Sequence, residues 1–282
     1  MERKYLVFVR AGQKSLHPEW LMQEPYRNWD CVVSWWGSEP EDCGEEYRVT
    51  GGALKCDAFA EYYAANPGIS ARYRFVLIAD DDIRIKPGDI SRIFETCERH
   101  GLVLAQPALG WKSWVNHPIT LRNPFTTIRA VTFVEMMMPV FSAATLGDLI
   151  HTFKLTKSGS GVDWAWAHYL RGRNALHIID AVACEHTKRA DPVHGALYVK
   201  MRAEGVDPWA EYQSIQERFP IAGGIRPLSN GHQLRPWVPA FIGTALVLLH
   251  WQLSRVIHGA RLLWSSRKGA FMARMATRVR SG

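Results

Sequence analysis

Three consecutive carboxylates follow an apolar segment in the first third of the chain. The segment Phe75–Ala79 is continuously apolar, and Asp80, Asp81 and Asp82 come directly after it. Side chains alternate along an extended chain, so Asp80 and Asp82 are predicted to share one side. Two carboxylates on one side repel each other unless a cation lies between them. Because Mg²⁺ and Mn²⁺ accept oxygen ligands, both residues are candidate metal ligands; a solvated acidic turn is the alternative.

Two further acids occupy positions where a carboxylate could do chemistry. Asp163 follows Gly159-Ser160-Gly161 at the start of a predicted helix, where it could complement the helix dipole or act as a base. Glu135 lies in the otherwise apolar run Val131–Met138, which we interpret as a strand. A carboxylate there must be paired or face a cavity, so a buried ion pair is the alternative. Glu135 and Asp163 are our candidate catalytic residues.

The segments that would position these residues alternate between strands and helices. Continuous apolar runs predict strands at Tyr5–Val9, Cys31–Trp35, Phe75–Ala79, Leu102–Ala105, part of Val131–Phe141, and Leu176–Cys184. Helical spacing predicts helices at Ala53–Ala65, Asp89–His100, Thr145–Leu155 and Val162–Leu170. This alternation indicates an α/β fold with a largely parallel sheet. Ligands bind such sheets at the carboxyl ends of the strands, which is where the acidic triplet lies.

Several segments beyond the triplet resemble a known family. They are Ala105–Leu109, Phe133–Ser142, Gly161–Trp166 and Ile179–His186. Their order and spacing resemble GT-A-type glycosyltransferases, most closely the domain-of-unknown-function 707 family, which is itself glycosyltransferase-like. The resemblance extends from about Tyr5 to Asp191. It implies a Rossmann-type, mostly parallel sheet flanked by helices, and a DxD-like motif whose metal bridges the diphosphate of a nucleotide-sugar.

The same resemblance assigns roles to individual residues. It implies that His186 is a metal ligand beside Asp80 and Asp82; taken alone, a histidine satisfied at a strand end would be the simpler interpretation. Asp180, in the same apolar run, could orient His186 or pair with a basic residue. Lys55 follows a glycine pair at a helix start, where phosphates can bind. The expected nucleotide contacts are Asp30, Lys55, Asp80 and Asp81.

Charge divides the chain near residue 218. All 27 acidic residues lie at or before Glu217, whereas nine of the 34 basic residues lie after Arg218. We therefore predict a catalytic domain over residues 1–218, a Pro- and Gly-containing linker over 219–236, and a basic tail over 237–282. Because the net charge of +7 comes from the tail, the near-neutral body gives no indication of a nucleic-acid partner.

The tail combines an apolar segment with a helical pattern of charge. Trp237–Leu253 would span about 25 Å as a helix, which is short for a bilayer core of roughly 30 Å. Apolar residues recur at helical spacing: Leu246, Leu249, Leu253, Val256, Ala260 and Leu263. Polar and basic residues follow another side: Arg255, His258, Arg261, Ser265 and Lys268. Such a helix lies on an anionic membrane surface, although docking on the domain is an alternative.

These observations together predict a location and an activity. Only five apolar residues follow the charged start, too few for a secretory signal, so we expect a cytoplasmic protein bound peripherally to the inner face of the membrane. The predicted reaction is Mn²⁺- or Mg²⁺-dependent transfer from a nucleoside-diphosphate sugar to a glycan or lipid-linked acceptor. Two alternatives remain: a metal-dependent nucleotidyl- or phosphotransferase, and a non-catalytic, membrane-tethered carbohydrate-binding protein.

Overall fold

Strands and helices alternate through most of the chain. The computed structural model describes residues 3–23, 26–36, 43–50, 54–173, 175–188 and 196–280, with the side chains of the last helix described as far as Leu262. The strands are β1 (Tyr5–Ala11), β2 (Trp29–Trp35), β3 (Tyr47–Thr50), β4 (Phe75–Asp80), β5 (Ile83–Arg84), β6 (Leu104–Leu109), β7 (Thr126–Ala130), β8 (Val140–Ser142), β9 (Leu176–His186) and β10 (Gln233–Leu234). The α-helices are α1 (His17–Gln23), α2 (Lys55–Ala65), α3 (Ile69–Arg72), α4 (Asp89–His100), α5 (Ala143–Leu149), α6 (Val162–Tyr169), α7 (Ala196–Ala203), α8 (Pro208–Arg218) and α9 (Ala240–Arg280).

The strands form one mixed sheet in the order β10-β7-β9-β6-β8-β4-β1-β2-β3, and β5 pairs with β9. β3, β2, β1 and β4 are parallel neighbours, and β6 and β9 form a second parallel pair. β8 lies between these groups and is antiparallel to both β4 and β6. These six strands therefore run in one direction, and their carboxyl ends meet at one edge of the sheet. The predicted mostly parallel α/β architecture is confirmed.

Helices cover both faces of the sheet, which explains why its strands are apolar without alternation. In β1, Leu6 and Phe8 pack on one face with residues of α2, α5 and α6. Tyr5, Val7 and Val9 pack on the other face with residues of α1 and α4. Every one of these side chains is at most 1% exposed. The sheet is thus a rigid middle layer whose edge can hold site residues in place.

Helix α4 has the predicted bounds, Asp89–His100. Its buried side chains recur at spacings of three and four residues: Ile90, Ile93, Phe94 and Cys97. The helix ends at Gly101, whose φ of 59° lies in the left-handed region that glycine adopts without a side-chain clash. The apolar spacing and the glycine after the last turn therefore predicted both ends of α4 correctly.

The strand expected within Val131–Phe141 forms only at its end, as β8. Residues 133–139 form a loop with a turn, so the prediction of Glu135 in a strand is corrected. Pro139 explains the interruption, because it has no N–H to donate to the neighbouring strand β4. Met137 still accepts a hydrogen bond from the backbone N–H of Asp80 at 2.9 Å, so the loop stays attached to the end of β4.

Residues 219–236, predicted as a linker, run along the edge of the sheet. β10 pairs with β7, Leu228 N donates to Ala130 O at 3.0 Å, and Arg235 N donates to Phe125 O at 2.9 Å. Helix α9 follows, and its residues Val247 and Trp251 are buried against the body. The first part of the predicted tail is therefore docked on the domain, the alternative named above for this segment.

Candidate active site

Asp80, Asp82 and His186 form a cluster at the carboxyl edge of the sheet. Their potential ligand atoms all lie within 4.8 Å of one another, and Nε2 of His186 lies 3.3 Å from Oδ1 of Asp82. Asp80 ends β4, and Asp82 occupies the turn before β5. β5 then pairs with the end of β9, with Ile83 opposite His186. Two strands thus bring the acidic triplet to a histidine that lies far away in sequence.

Asp82 and His186 stabilise each other's charged forms. Burial lowers the pKa of His186, but the hydrogen bond and charge of Asp82, with the charges of Asp80 and Glu135, outweigh burial and raise it. Burial raises the pKa of Asp82, but the hydrogen bond and charge of His186 and the charge of Lys188 bring it below its usual value. The pair is therefore held together by charge as well as by geometry.

Lys55 and Asp81 connect the cluster to its surroundings. Lys55, the first residue of α2, donates from Nζ to Oδ1 of Asp80 and to the carbonyl oxygen of Met136 at 2.6 Å. Oδ2 of Asp81 accepts the backbone N–H of Gly12 at 3.2 Å. Nζ of Lys188 lies 3.9 Å from Oδ1 of Asp81. Lys55 therefore places a cation at the cluster of Asp80, Asp82 and His186, and Asp81 ties the triplet to the loop after β1.

A cavity of about 280 Å³ lies at that loop, lined by residues 12–15, His17, Pro18, Trp35 and Cys43. His17, Cys43 and Glu45 place potential ligand atoms within 4.8 Å of one another there. Burial lowers the pKa of His17 to about 4, so its imidazole is neutral at pH 7. The Glu45 carboxylate is occupied by an ion pair with Arg48. Sequence spacing gives no signal for this group, because His17 lies far from the other two residues along the chain.

Glu135 is buried beside the cluster of Asp80, Asp82 and His186, and one of its oxygens has no hydrogen-bond partner among the described residues. Its Oε1 accepts a hydrogen bond from Nδ2 of Asn116 at 2.9 Å, and its Oε2 has no hydrogen-bond partner among the described residues. Burial raises the pKa of Glu135, and the charges of His186, Asp80 and Lys55 also act on its carboxyl. The unused oxygen of Glu135 is therefore available to accept a proton next to the cluster.

Asp163 lies at the start of α6, as predicted, but its carboxylate is already engaged. Oδ2 accepts the backbone N–H of Met136 at 3.2 Å, and Oδ1 accepts the N–H of Trp164 at 3.1 Å. Burial raises the pKa of Asp163 to about 6, which the charge of His117 partly offsets. Asp163 therefore holds the loop that carries Glu135 and Met136.

The loop 110–117, which follows β6, joins the separate parts of the site. Trp114 N donates to His186 O at 3.1 Å, and His186 N donates to Oγ of Ser113 at 3.2 Å. Asn116 from the same loop contacts Glu135. The sequence analysis did not find Ser113 or Asn116, because they lie in an irregular segment without periodicity.

The structure separates Asp30 and Asp180 from the cluster. Asp30 lies near the amino end of β2, the opposite edge of the sheet, where Tyr73 and Arg72 donate to its carboxylate at 2.7 and 2.9 Å. The expected nucleotide contact of Asp30 is therefore corrected. Its carboxylate is bonded to Tyr73 and Arg72, and it lies at the edge of the sheet opposite the cluster. Asp180 is fully buried in an ion pair with Arg129 at 2.9 Å and does not orient His186.

Comparison with known families supports the resemblance found in the sequence. Residues 58–132 match the family described as a protein of unknown function, DUF707. The matched segment contains the acidic triplet and ends before Glu135, Asp163 and His186. No curated protein matches the chain. The predicted resemblance is confirmed for the matched part of the chain.

The sheet and its helices are also similar to those of solved structures. A structure of GalNAc-T7 with UDP, GalNAc and Mn²⁺ superposes with a TM-score of 0.54 at 8% identity, covering 76% of this chain and 47% of that one. The chain thus spans about half the length of that protein. A structure of S. aureus TarS residues 1–349 with UDP-GlcNAc has a TM-score of 0.48 at 14% identity, covering 76% of this chain and 71% of that one.

The chain has a GT-A-type fold.

In a GT-A-type sheet the carboxyl edge is the ligand side, as in open α/β sheets generally. The cluster of Asp80, Asp82 and His186, the neighbouring Glu135 and the cavity at Gly12 all lie along this edge. The arrangement brings together a set of potential cation ligands, a buried carboxylate oxygen without a hydrogen-bond partner among the described residues, and a cavity.

Proposed function

We propose that the protein is a metal-dependent glycosyltransferase that moves a sugar from a nucleoside-diphosphate sugar to a hydroxyl group of a glycan or lipid-linked acceptor. The observation that carries this proposal is the cluster of Asp80, Asp82 and His186 at the carboxyl end of β4 in a GT-A-type sheet. The rival nucleotidyl- or phosphotransferase would use the same residues, but no feature of the site favours it.

The cluster residues fit Mn²⁺ or Mg²⁺. Two carboxylates and one imidazole are a ligand set of hard oxygen and borderline nitrogen donors, which suits Mn²⁺ well and also accommodates Mg²⁺. Asp80, Asp82 and His186 would hold the ion, which would supply Lewis-acid stabilisation of the departing diphosphate. Lys55 adds a positive charge on the same side and is placed to contact a phosphate oxygen.

The nucleoside is assigned to the cavity at the loop after β1. Asp81 orders this loop through the N–H of Gly12, so the cavity stays next to the acidic triplet. Trp35 lines the cavity and offers an aromatic surface for a base. This placement would put the diphosphate of the donor between the cavity and the cluster.

Glu135 is the favoured base for the acceptor hydroxyl. A general base needs an oxygen that is not already engaged, and Oε2 of Glu135 has no hydrogen-bond partner among the described residues. Both oxygens of Asp163 already accept backbone N–H groups, so we assign Asp163 to positioning the loop 133–139.

The acceptor and the cellular location belong to the same proposal. One segment, Ala240–Leu262 in α9, is long and apolar enough to cross a membrane by length and composition, although part of it is buried on the body. Residues 219–282 include no acidic residue and nine basic residues. These features support a peripheral protein on the inner face of the cell membrane, acting on a glycan or glycolipid there.

The proposal can be tested by thermal unfolding of the purified protein with a panel of nucleoside-diphosphate sugars, in Mn²⁺ or in chelator. At a donor concentration near a hundred times Kd, binding should raise Tm by roughly 5 °C. We expect one donor to stabilise the wild type only in the presence of Mn²⁺. Asp82→Ala should lose this response, whereas Asp148→Ala, which removes an exposed carboxylate elsewhere, should keep it.

The other outcomes contradict the proposal in distinct ways. Stabilisation by nucleoside triphosphates but by no nucleotide-sugar would indicate the nucleotidyl- or phosphotransferase. Binding of glycans that ignores the chelator and survives Asp82→Ala would indicate a carbohydrate-binding protein. If no donor raises Tm although Mn²⁺ is bound and the fold is intact, the proposal of a nucleotide-sugar donor is rejected.

A further inference from the structure

Helix α9 has one face that packs on the body and an opposite face that does not. The packed face repeats at spacings of three and four residues: Gly243, Val247, His250, Trp251 and Ser254, all buried. The residues of the opposite face, which we call the outer stripe, are Phe241, Leu249, Leu253 and Val256. They are 89%, 54%, 52% and 69% exposed. The stripe is therefore a continuous apolar surface without a partner among the described residues.

The packed face is fitted closely to the body. Trp251 belongs to the main apolar core under the sheet. A Cβ atom on Gly243 would lie 2.3 Å from Cδ1 of Leu234, so a larger residue there would require the Leu234 side chain to move. Nη2 of Arg261 donates to Trp111 O at 2.8 Å, and the rings of His250 and Trp111 meet edge to face. Releasing α9 would expose part of the core, so the docked position is the stable one.

The faces of α9, rather than its length, decide its orientation at a membrane. The 23 residues Ala240–Leu262 would span about 35 Å, enough for the hydrocarbon core. A crossing helix, however, has lipid or membrane-embedded protein on every side. Here one side is bound to an α/β body, whose polar surface would have to enter the hydrocarbon with the helix. A docked α9 can therefore lie only along the membrane surface.

Charge identifies an anionic lipid surface as the occupant of the outer stripe. Helix α9 contains no acidic residue, and Arg255, between Leu253 and Val256 in the sequence, is exposed, whereas Arg261 is bound to the body through Trp111. Further basic residues follow in the sequence: Arg267, Lys268, Arg274, Arg278 and Arg280. A second copy of the chain would bring two such helices together and oppose like charges. Anionic headgroups complement the helix instead.

The packed face also connects the membrane side of the protein to the candidate site. Arg261 and His250 hold Trp111, the second residue of the loop 110–117. The same loop bonds to His186 through Ser113 and Trp114. A single loop therefore separates α9 from the metal cluster, which brings the site close to whatever surface α9 lies on.

We propose that α9 lies flat on an anionic membrane, with the outer stripe in the lipid interface, and that the acceptor is carried by a lipid of that membrane. The statement about the acceptor rests on the proposed function. The statement about the membrane surface stands on α9 alone and can be tested without any donor.

The surface is tested by flotation of the full-length protein with vesicles of phosphatidylcholine, with and without phosphatidylglycerol. We expect binding only when phosphatidylglycerol is present. Leu253→Glu should weaken binding by roughly tenfold, because it places a charge in the stripe. Met22→Glu is the matched control: Met22 is a 72% exposed apolar residue of α1, and this change should alter binding by less than about twofold. Alkaline carbonate should release the bound protein.

Several results would overturn the membrane statement. Protein that stays on the vesicles in alkaline carbonate would indicate that α9 crosses the membrane. If Leu253→Glu floats as well as the wild type, the outer stripe does not contact the lipid. Absence of flotation, combined with a dimer that Leu253→Glu dissociates, would assign the stripe to a second copy. Thermal unfolding of both variants verifies that neither change disrupts the fold.

The acceptor is tested with the donor that the thermal panel identifies, radiolabelled in its sugar, and vesicles of total lipids from the expressing cells. We expect label in the organic extract. Leu253→Glu should reduce it by roughly tenfold while keeping the Mn²⁺-dependent stabilisation by the donor. If label appears only in water-soluble glycan, the proposal that the acceptor is carried by a lipid is wrong. If no donor binds, the proposed function fails, while flotation still decides whether α9 binds the membrane.

Discussion

Glu135 and Asp163 are both buried acids near the cluster, and they differ in what their oxygens already bind. Asp163 accepts two backbone N–H groups, whereas Oε2 of Glu135 accepts none among the described residues. A carboxylate with both oxygens engaged holds structure, and one with an unused oxygen can take a proton. This difference leads to opposite expectations for the two neutral amide variants.

Glu135→Gln should lower the rate of sugar transfer by about 10² to 10⁴ while leaving donor binding unchanged. The amide keeps the size of the side chain but cannot accept a proton from the acceptor hydroxyl. Initial rates and donor Kd for both proteins would check this. Transfer by Glu135→Gln within a few fold of the wild type would remove Glu135 as the base. Asp163→Asn is the matched control and should lose less activity than Glu135→Gln.

Asp163 should also make the free energy of unfolding depend on pH. Burial raises its pKa to about 6 in the folded protein, from 3.8 in the free side chain. Between these pH values the folded state holds a proton that the unfolded state has released, so stability contributed by this group falls as pH rises from about 4 to about 6. Compared with Asp163→Asn, the wild type should lose about 2 kcal/mol across this range.

Urea unfolding of the wild type and of Asp163→Asn at a series of pH values measures this difference. The asparagine side chain does not titrate, so the contributions of groups that do not interact with Asp163 cancel in the comparison. A difference between the two proteins that stays constant from pH 4 to pH 7 would show that Asp163 ionises normally.

The sequence pattern alone identified the two carboxylates of the cluster, and the histidine came from the family resemblance. Alternation along an extended chain placed Asp80 and Asp82 together, because that pattern is local. His186 entered only through the family resemblance, since its approach to Asp82 depends on a strand pairing across more than a hundred residues. Asp30 precedes the predicted strand Cys31–Trp35, and in the structure it lies near the amino end of β2, away from the cluster.

Among the elements, β9 does the most to shape the site. Its pairing with β6 shifts between Pro107 and Ala108, opposite Ile179 and Ala183 respectively. The residues of β9 between these two positions have no counterpart on β6, and the first of them is Asp180. The bulge is compatible with Pro107, which has no N–H to contribute to a regular ladder.

The ion pair of Asp180 and Arg129 secures this irregular region. Oδ1 of Asp180 accepts a hydrogen bond from the backbone N–H of Asn123 at 2.7 Å. Oδ2 accepts hydrogen bonds from Oγ1 of Thr126 at 2.6 Å and from Nε of Arg129 at 2.9 Å. Both partners of the pair are at most 1% exposed. The pair therefore joins β9 to β7 and to the loop before it in the buried interior.

Arg129→Met should lower the free energy of unfolding by about 3–5 kcal/mol, because it leaves the Asp180 carboxylate buried without its countercharge. The double variant Arg129→Met with Asp180→Leu should recover part of this loss, since no buried charge remains. Urea denaturation of the two variants and the wild type would check both statements. A loss below about 1 kcal/mol for Arg129→Met would show that Asp180 is solvated or protonated.

The elements divide clearly into those that sequence can predict and those that it cannot. Long apolar strands such as β1 and β4, and the capped helix α4, follow from local pattern alone. β7 was missed because its sequence, Thr-Thr-Ile-Arg-Ala, is polar and is buried only through partners such as Asp180. β5 and β10 have two residues each, too few for any periodicity.

For the whole molecule, composition predicted the division into body and tail but not how they meet. The helical pattern correctly grouped Leu249, Leu253 and Val256 on one side of α9. It could not show that the other side, with His250 and Ser254, would be buried on the body. Buried polar residues look like a solvent face in a sequence, so only the packed structure reveals which side is covered.

The pairing of β5 with β9 also constrains the order in which the molecule can assemble. Asp82 and His186 come together only when strands distant in the chain have met, and contacts of this range form slowly and late in folding. The three cluster side chains therefore do not exist as a set while the chain is still collapsing. A cation that they bind cannot guide the early steps of folding. It acts on the finished sheet, where it would slow the separation of β5 from β9 and so lengthen the lifetime of the native state.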